Sequence, residues 1–390
     1  MKPTRTGLCP PRLDIEMKIL FCSPCPLDRT LGAAQTLMAL AEALGKRGWQ
    51  CDLLDPSCLG ADKKTYPAKL HAYLQAHAAD YDIVEFDYKR LAFRREAFPA
   101  ETLFAARCQL LIHHHLKVRI PPVPTLSARL RALVLASRNR RRMRARVRQA
   151  TATLQAADLV IVLNEQDKDE LIRHGLAASK IRVVPNGMTE ERHRALNAVP
   201  VAPPEGAVVA FIGMFGPRKG AADFPDLARR VLDAVPEARF RLLGTRGRYQ
   251  TAADVLACFP HALRSRIEVI PSFAREALPD LLAPCAVGVF PSYLEGFGLG
   301  VLEMLAAGVP VVAYDAPGPP AMLPPDYLVA PGDTAAMSGT VIRLLRDRDA
   351  LAEARRWARA RAQAFRWEQI APVLAETYET ARAQRPVLQA

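Results

Sequence analysis

The sequence predicts an α/β protein made of two parallel-sheet domains, and three observations carry that prediction. Short β-branched runs alternate with longer helical patterns along most of the chain, as parallel strands joined by covering helices require. The 390 residues are 50% apolar, more than one core serves when domains hold ~100–200 residues. One Pro- and Ala-rich stretch, residues 188–206, interrupts the alternation without a strand. The expected division is a loose tail over 1–16, a first domain over 17–187, a linker over 188–206, a second domain over 207–368 and a final helix with tail over 369–390.

In the first half the strands are expected at 18–22, 49–54, 81–86, 108–113, 158–163 and 181–184. The second half repeats the pattern at 207–212, 239–243, 266–270, 285–290, 309–314 and 326–329. The first helix is read over 33–48, where Leu37, Leu40, Ala41 and Leu44 fall at helical spacing and Gly45 and Gly48 mark its stop. Ligands of such sheets bind beyond the carboxyl ends of the strands. A cleft between two of them therefore holds one substrate on each side.

Composition narrows the class. No run reaches the ~18 apolar residues of a membrane-spanning helix, and the N-terminus lacks the pattern of a signal peptide. Most of the eight cysteines sit singly in apolar stretches, which suits a reducing cytoplasm better than a disulfide framework. The C-x-x-C spacing of Cys22 and Cys25 has no second pair to complete a metal site, and is read as two loop cysteines. The net charge of +13 is local. Between Thr102 and Ala157 there are twelve basic residues and no acidic one, nine of them arginines from Arg129 to Arg148. The rest of the chain carries 41 basic and 40 acidic residues. This patch is either a solvated helix face or a surface for phosphate groups, an anionic membrane above all. It lacks the interleaved aromatics of a nucleic-acid site, so none is expected there.

The strongest motif runs from Phe290 to Val312, F-P-S-Y-L-E-G-F-G-L-G-V-L-E-M-L-A-A-G-V-P-V-V. A strand ends at Pro291, a loop punctuated by glycine follows, and a helix starts near Leu299. Gly296 and Gly298 let the backbone approach a ligand closely. The free N–H groups at the helix start favour an anion such as a diphosphate. Glu295 precedes that helix and Glu303 lies inside it, so the two carboxylates hold different parts of one ligand.

These residues resemble glycosyltransferase family 4, retaining enzymes of the GT-B fold, whose mark is E-G-F-G-x-x-x-x-E followed by A-x-G-x-P-V-V. Every fixed position of that pattern is present. The resemblance implies two Rossmann-like domains facing each other across a cleft. It implies that Glu295 contacts the donor sugar near the reacting centre, that Glu303 binds the nucleotide ribose, and that the amides of Phe297, Gly298 and Leu299 contact donor hydroxyls and phosphates. Gly213, in the segment from Phe211 to Gly220, belongs to a loop that supplies two cations to the donor diphosphate. Lys219 is in register there. The usual arginine is replaced by Met214, and Arg218 is displaced but within reach of the same phosphate. Gly244 matches the next loop, and 365–368 the segment before a final helix that crosses back to the first domain. At 189 the family's aspartate is replaced by Thr189.

In the first half, Gly32 takes the place of a Gly-Gly loop at a helix start. A histidine at the cleft end of a strand touches the donor sugar in many relatives, which implies His115 and, second, His114. Glu85 and Asp87 also end a strand toward the cleft, where either carboxylate would meet an acceptor hydroxyl. The implied reaction moves a hexosyl group, with retention, from a nucleotide-diphosphate sugar to a sugar or lipid-linked acceptor. No metal or other cofactor is expected, and the expected location is the cytoplasm or the inner face of its membrane. The competing readings are an epimerase or phosphorylase of the same fold, and a non-catalytic scaffold that docks on anionic membranes.

Overall fold

The computed structural model describes residues 17–28, 32–91, 93–121 and 126–385, with side chains over the same range apart from 32, 33 and 126–138. The tail read over 1–16 lies outside the described residues.

The first half contains β1 (Lys18–Cys22), α1 (Gly32–Gly45), β2 (Gln50–Leu54), α2 (Tyr66–His77), β3 (Ile83–Asp87), β4 (Leu103–Cys108), α3 (Leu126–Ala156), β5 (Leu159–Val162), α4 (Glu165–Arg173) and β6 (Ile181–Val183). Then come α5 (Glu190–Asn197), β7 (Val208–Ile212), α6 (Phe224–Ala234), β8 (Arg239–Leu243), α7 (Ala252–Leu256), β9 (Ile267–Ile270), α8 (Leu278–Leu282) and β10 (Cys285–Phe290). The chain ends with α9 (Leu299–Ala306), β11 (Val311–Tyr314), β12 (Leu328–Val329), α10 (Thr334–Arg346), α11 (Arg348–Ala362) and α12 (Trp367–Ala383).

The strands form two six-stranded sheets, ordered β2-β1-β3-β4-β5-β6 and β12-β11-β10-β7-β8-β9. Every pairing is parallel. Strands β3, β4, β5, β10 and β11 are buried along their whole length, as sheets covered on both faces must be. This is the doubly wound α/β architecture that the strand–helix alternation predicts.

Eleven predicted strands form within two residues of their expected bounds. The fourth does not. Strand β4 is Leu103–Cys108, and His113, His114 and His115 lie in a 3-10 turn, Ile112–Leu116, rather than at a strand end. Arg107 hid this strand in the sequence, because a cation in the middle of a run argues against burial. In the fold it is 3% exposed, with its Nε donating to Glu85 Oε1 at 2.8 Å. The Tyr378 hydroxyl of α12 donates to the other oxygen of Glu85. Glu85 is therefore committed to a buried cluster and does not face an acceptor. Asp87, also buried, accepts from the Lys89 amide at 2.9 Å.

The linker contains a helix as well as coil. Thr189 caps α5, accepting from the Arg192 amide at 3.3 Å. The chain passes between the halves twice, and the two passages are paired. Met188 donates to the Phe365 carbonyl at 2.8 Å, and Trp367 donates to the Met188 carbonyl at 3.0 Å. The linker is further fixed by Arg355, a fully buried guanidinium of α11 that donates to the carbonyls of Pro200 at 2.9 Å, Val201 at 3.1 Å and Cys285 at 2.8 Å. Burial lowers its pKa to about 10. From the second passage α12 returns to the first sheet, with Tyr378 against the Trp49 ring at 5.9 Å and Arg382 paired to Asp82 at 2.7 Å.

The seven described cysteines are all free, Cys22 and Cys25 among them. Burial, reinforced by Glu85, holds the Cys22 thiol well above the ordinary range. Among the described residues no helix is long and apolar enough to cross a membrane.

Two predictions follow from this core. Tyr378→Phe keeps the ring packing but leaves a Glu85 oxygen buried without its donor, so it should destabilise the protein by about 1–3 kcal/mol. An unchanged urea midpoint would show that the clamp carries no energy. His113 is fully buried, with Nε2 2.9 Å from Thr151 Oγ1 and the His174 ring 4.8 Å away. Burial, then the neighbouring His174, lowers its pKa from 6.5 to about 4. Because the folded value is the lower one, the unfolded chain takes up the proton first. This contribution to stability is complete above about pH 6.5, shrinks as pH falls toward 4, and levels off below. Urea midpoints across that range should fall less steeply for His113→Gln than for the unmodified chain.

Candidate active site

The loop after β10 is where the sequence places it. Gly298 takes φ 96°, a left-handed conformation that costs a glycine little, and α9 begins at the next residue. The N–H groups of Phe297, Gly298 and Leu299 have no hydrogen-bond acceptor among the described residues. They gather at the positive end of α9.

Glu295 lies just before these amides and is 7% exposed. Its Oε1 receives both Arg218 Nη1 and Lys219 Nζ, each at 2.7 Å. Both cations come from the 3-10 turn Pro217–Lys219 that follows β7. Arg218 Nη1 also donates to the Leu294 carbonyl at 2.6 Å. The Lys219 ammonium sits 4.5 Å over the Phe290 ring. Burial lowers its pKa while Glu295 opposes the shift. Two cations and one carboxylate leave a net positive charge at the mouth of a helix N-terminus, an anion site by its electrostatics.

Glu303 is not part of that cluster. Its Oε1 pairs with Arg192 Nη2 at 2.8 Å, and Arg192 also donates to the Arg275 carbonyl. The two glutamates thus serve separate corners, as their spacing requires. Gly213 and Gly244 sit directly after β7 and β8, donating to the carbonyls of Leu243 and Ile270 at 2.9 Å each. Met214 is 55% exposed and lies toward Gly247. It brings no charge, and Arg218 enters the cluster instead.

Across the cleft, Gly32 opens α1. The three histidines have three different surroundings. His114 is buried, with Nε2 2.7 Å from Asp167 Oδ1. His113 belongs to the core. His115 is half-buried, and its pKa is lowered by burial and then by Arg218 and Arg146. The His115 side chain makes no hydrogen bond among the described residues, whereas His114 is occupied by Asp167. Among the described residues no three His, Cys, Asp or Glu side chains cluster as metal ligands would.

The two halves meet at the glycine loop. A Cβ on Gly296 would overlap the carbonyl oxygen of Gln109, so only glycine allows this approach. Asn164 Nδ2 donates to the Gly296 carbonyl at 2.7 Å, and Asn186 Nδ2 donates to Gln109 Oε1 at 3.2 Å. Asn164 and Arg192 are site residues that sequence reasoning missed. The only local signals were helix starts: Asn164 before Glu165 and Asp167, and Thr189 before Glu190.

Known proteins match this sequence and fold. The family model described as Glycosyltransferase Family 4 matches residues 31–192, and the one described as Glycosyl transferases group 1 matches 206–347. The D-inositol 3-phosphate glycosyltransferase of Xylanimonas cellulosilytica is 26% identical over 353 residues, 84% of this chain and 80% of that protein. Six further relatives of that name are matched over 52% to 57% of their length. Sucrose-phosphate synthase from Thermosynechococcus elongatus superposes with a TM-score of 0.70 at 23% identity, covering 95% of this chain and all of that one. Anabaena HepE in complex with UDP-glucose gives 0.65 at 19%, covering 93% of this chain and all of its own. These likenesses in fold make the two facing sheets a GT-B pair. With these models matching 31–192 and 206–347 and the E-G-F-G-x-x-x-x-E loop within the second range, the chain belongs to glycosyltransferase family 4, among the group 1 glycosyltransferases.

Proposed function

We propose that this glycosyltransferase moves a hexosyl group from a nucleotide-diphosphate sugar to an acceptor hydroxyl and retains the anomeric configuration. The observation that carries this reading is the convergence of Arg218 and Lys219 on Glu295 beside the unpartnered amides of α9. A diphosphate laid there meets two cations and a helix N-terminus, which stabilise the charge that develops as the sugar–phosphate bond breaks. Glu303, held from behind by Arg192, accepts from the ribose hydroxyls. Glu295, neutralised by its two cations, orients the sugar rather than removing a proton. The acceptor oxygen then attacks the anomeric carbon on the face the diphosphate leaves, and its proton passes to the departing phosphate. These cations and amides fill the role that a metal fills in other transferases, so none is assigned to the reaction. The bound UDP-glucose of HepE supports a nucleotide sugar as the donor class.

The acceptor is assigned to the first half, as a sugar or lipid-linked hydroxyl near His115. The C-terminal part of α3 lies on that side. Its Arg140, Arg141, Arg142, Arg144, Arg146 and Arg148 are all exposed, and none has an ion-pair partner among the described residues. Arg129, Arg131 and Arg138 have side chains outside the described residues. The face is assigned to an anionic membrane surface, each arginine there adding about 1 kcal/mol of attraction. Free cysteines throughout the described residues support a cytoplasmic location.

Melting temperature against UDP, GDP, ADP, TDP and CMP tests the donor site. One diphosphate at a hundred times its dissociation constant should add about 2.7 kcal/mol, and Glu303→Ala should abolish the effect. No stabilisation by any of them would sink the reading. Sedimentation with vesicles tests α3. Binding should require anionic lipid, weaken with salt, and drop on replacing Arg141, Arg144 and Arg148 by Gln. Equal binding to neutral vesicles would refute it.

A further inference from the structure

Asn164 stands at an unusual junction. It is 2% exposed, follows β5 in extended conformation (φ −154°, ψ 161°), and caps α4. Its side chain works in two directions. Oδ1 accepts from the Asp167 amide at 2.8 Å, which is the capping bond. Nδ2 donates to the carbonyl of Gly296, 132 residues away on the other side of the cleft, at 2.7 Å. A side chain of the first half therefore holds a peptide of the loop in the second half that carries Glu295.

That peptide matters because it is rigid. In a trans peptide the C=O and the following N–H point in opposite directions. Fixing the Gly296 carbonyl toward Asn164 turns the Phe297 N–H away from Asn164, leaving it without an acceptor among the described residues. The same loop is anchored within the second half by Arg218 on the Leu294 carbonyl and by the close approach of Gly318 to Phe297. Those anchors persist whatever the first half does. The bond to Gly296 exists only while the halves meet, and Gln109 leaves no room for slippage there. On the far side of the same cap, Asp167 holds His114, the neighbour of His115.

We propose that Asn164 is a positioning residue that aims the Phe297 amide when the halves close, coupling closure to competence of the donor loop. What the amide meets, a donor oxygen, rests on the nucleotide-sugar reading. The coupling itself does not. Nucleotide binding, carried mainly by Arg218, Lys219 and Glu303 of the second half, therefore depends less on Asn164 than the reacting arrangement does.

The test uses Asn164→Ser in the full chain. Serine caps a helix as well as asparagine does but is too short to reach Gly296. The variant should unfold as cooperatively as the parent. Hydrogen–deuterium exchange of peptides spanning 292–302, which carry the hydrogen-bonded amides of Tyr293, Val301 and Leu302 on either side of the loop, should rise about tenfold or more. The kcat for release of nucleotide from a UDP-sugar should fall at least about tenfold, with the Kd for UDP changed less than about threefold. Asn164→Thr, also a capping residue, serves if the serine variant folds poorly. Unchanged exchange at 292–302, or faster exchange with wild-type kcat, overturns the proposal. If another nucleoside diphosphate binds the parent chain and UDP does not, that nucleotide and its sugars replace UDP; if none binds, the donor assignment has failed, and the exchange result alone decides the coupling.

Discussion

The carbonyl oxygen of Gln109 lies where any side chain on Gly296 would begin. The two halves thus touch backbone to backbone at the loop between β10 and α9, and the rest of the site is arranged around that contact. Because the loop carries no bulk there, Asn164 can reach its carbonyl from the opposite half. Because the carbonyl is held, the neighbouring amides stay unpaired and directed. A polar group buried without a partner is expensive, so amides left open at a helix N-terminus mark a place built for an anion.

Charge is arranged with the same separation of tasks. Arg218 and Lys219 share one oxygen of Glu295, and Arg192 holds Glu303 from the interdomain helix. The first group lies at the N-terminal end of α9, beside its open amides. The second lies inside the helix, on the side of the interdomain connection. Met214 brings no cation to this cluster, and Arg218, four residues on, reaches Glu295 from the turn that also carries Lys219. The acidic groups elsewhere are spent on structure. Glu85 neutralises Arg107 in the sheet and binds Tyr378 from the last helix. Asp167 is divided between a cap and a histidine.

What could be read from the sequence was local. Strand–helix alternation depends on neighbours a few residues apart, so eleven strands and both parallel sheets were visible in it. The glycine loop was legible for the same reason, since Gly296, Gly298 and Glu303 fall within eight residues of Glu295. The failures share one cause. Arg107 disguised β4 because its partner Glu85 lies on another strand, and the histidines were consequently drawn onto a strand they do not occupy. Asn164 looked like an ordinary helix start, and Arg192 like part of a linker. Each acts on a residue more than a hundred positions away, and no periodicity or spacing encodes such a pair.

The paired passages at Met188 and Trp367 set how the halves can move. A single connecting strand would be a swivel, free to twist and to swing. Two strands hydrogen-bonded side by side, with the Trp367 ring packed against Gly187, behave as the leaf of a door hinge. Twisting would shear the bonds between them, whereas swinging only flexes the strap. The easy motion is thus one rotation about the line of the strap, and the glycine loop sits close to that line, with the Phe297 ring 5.6 Å from Phe365. A loop so near the axis travels only a short arc as the halves part, while the parts of the cleft farther from the strap move most.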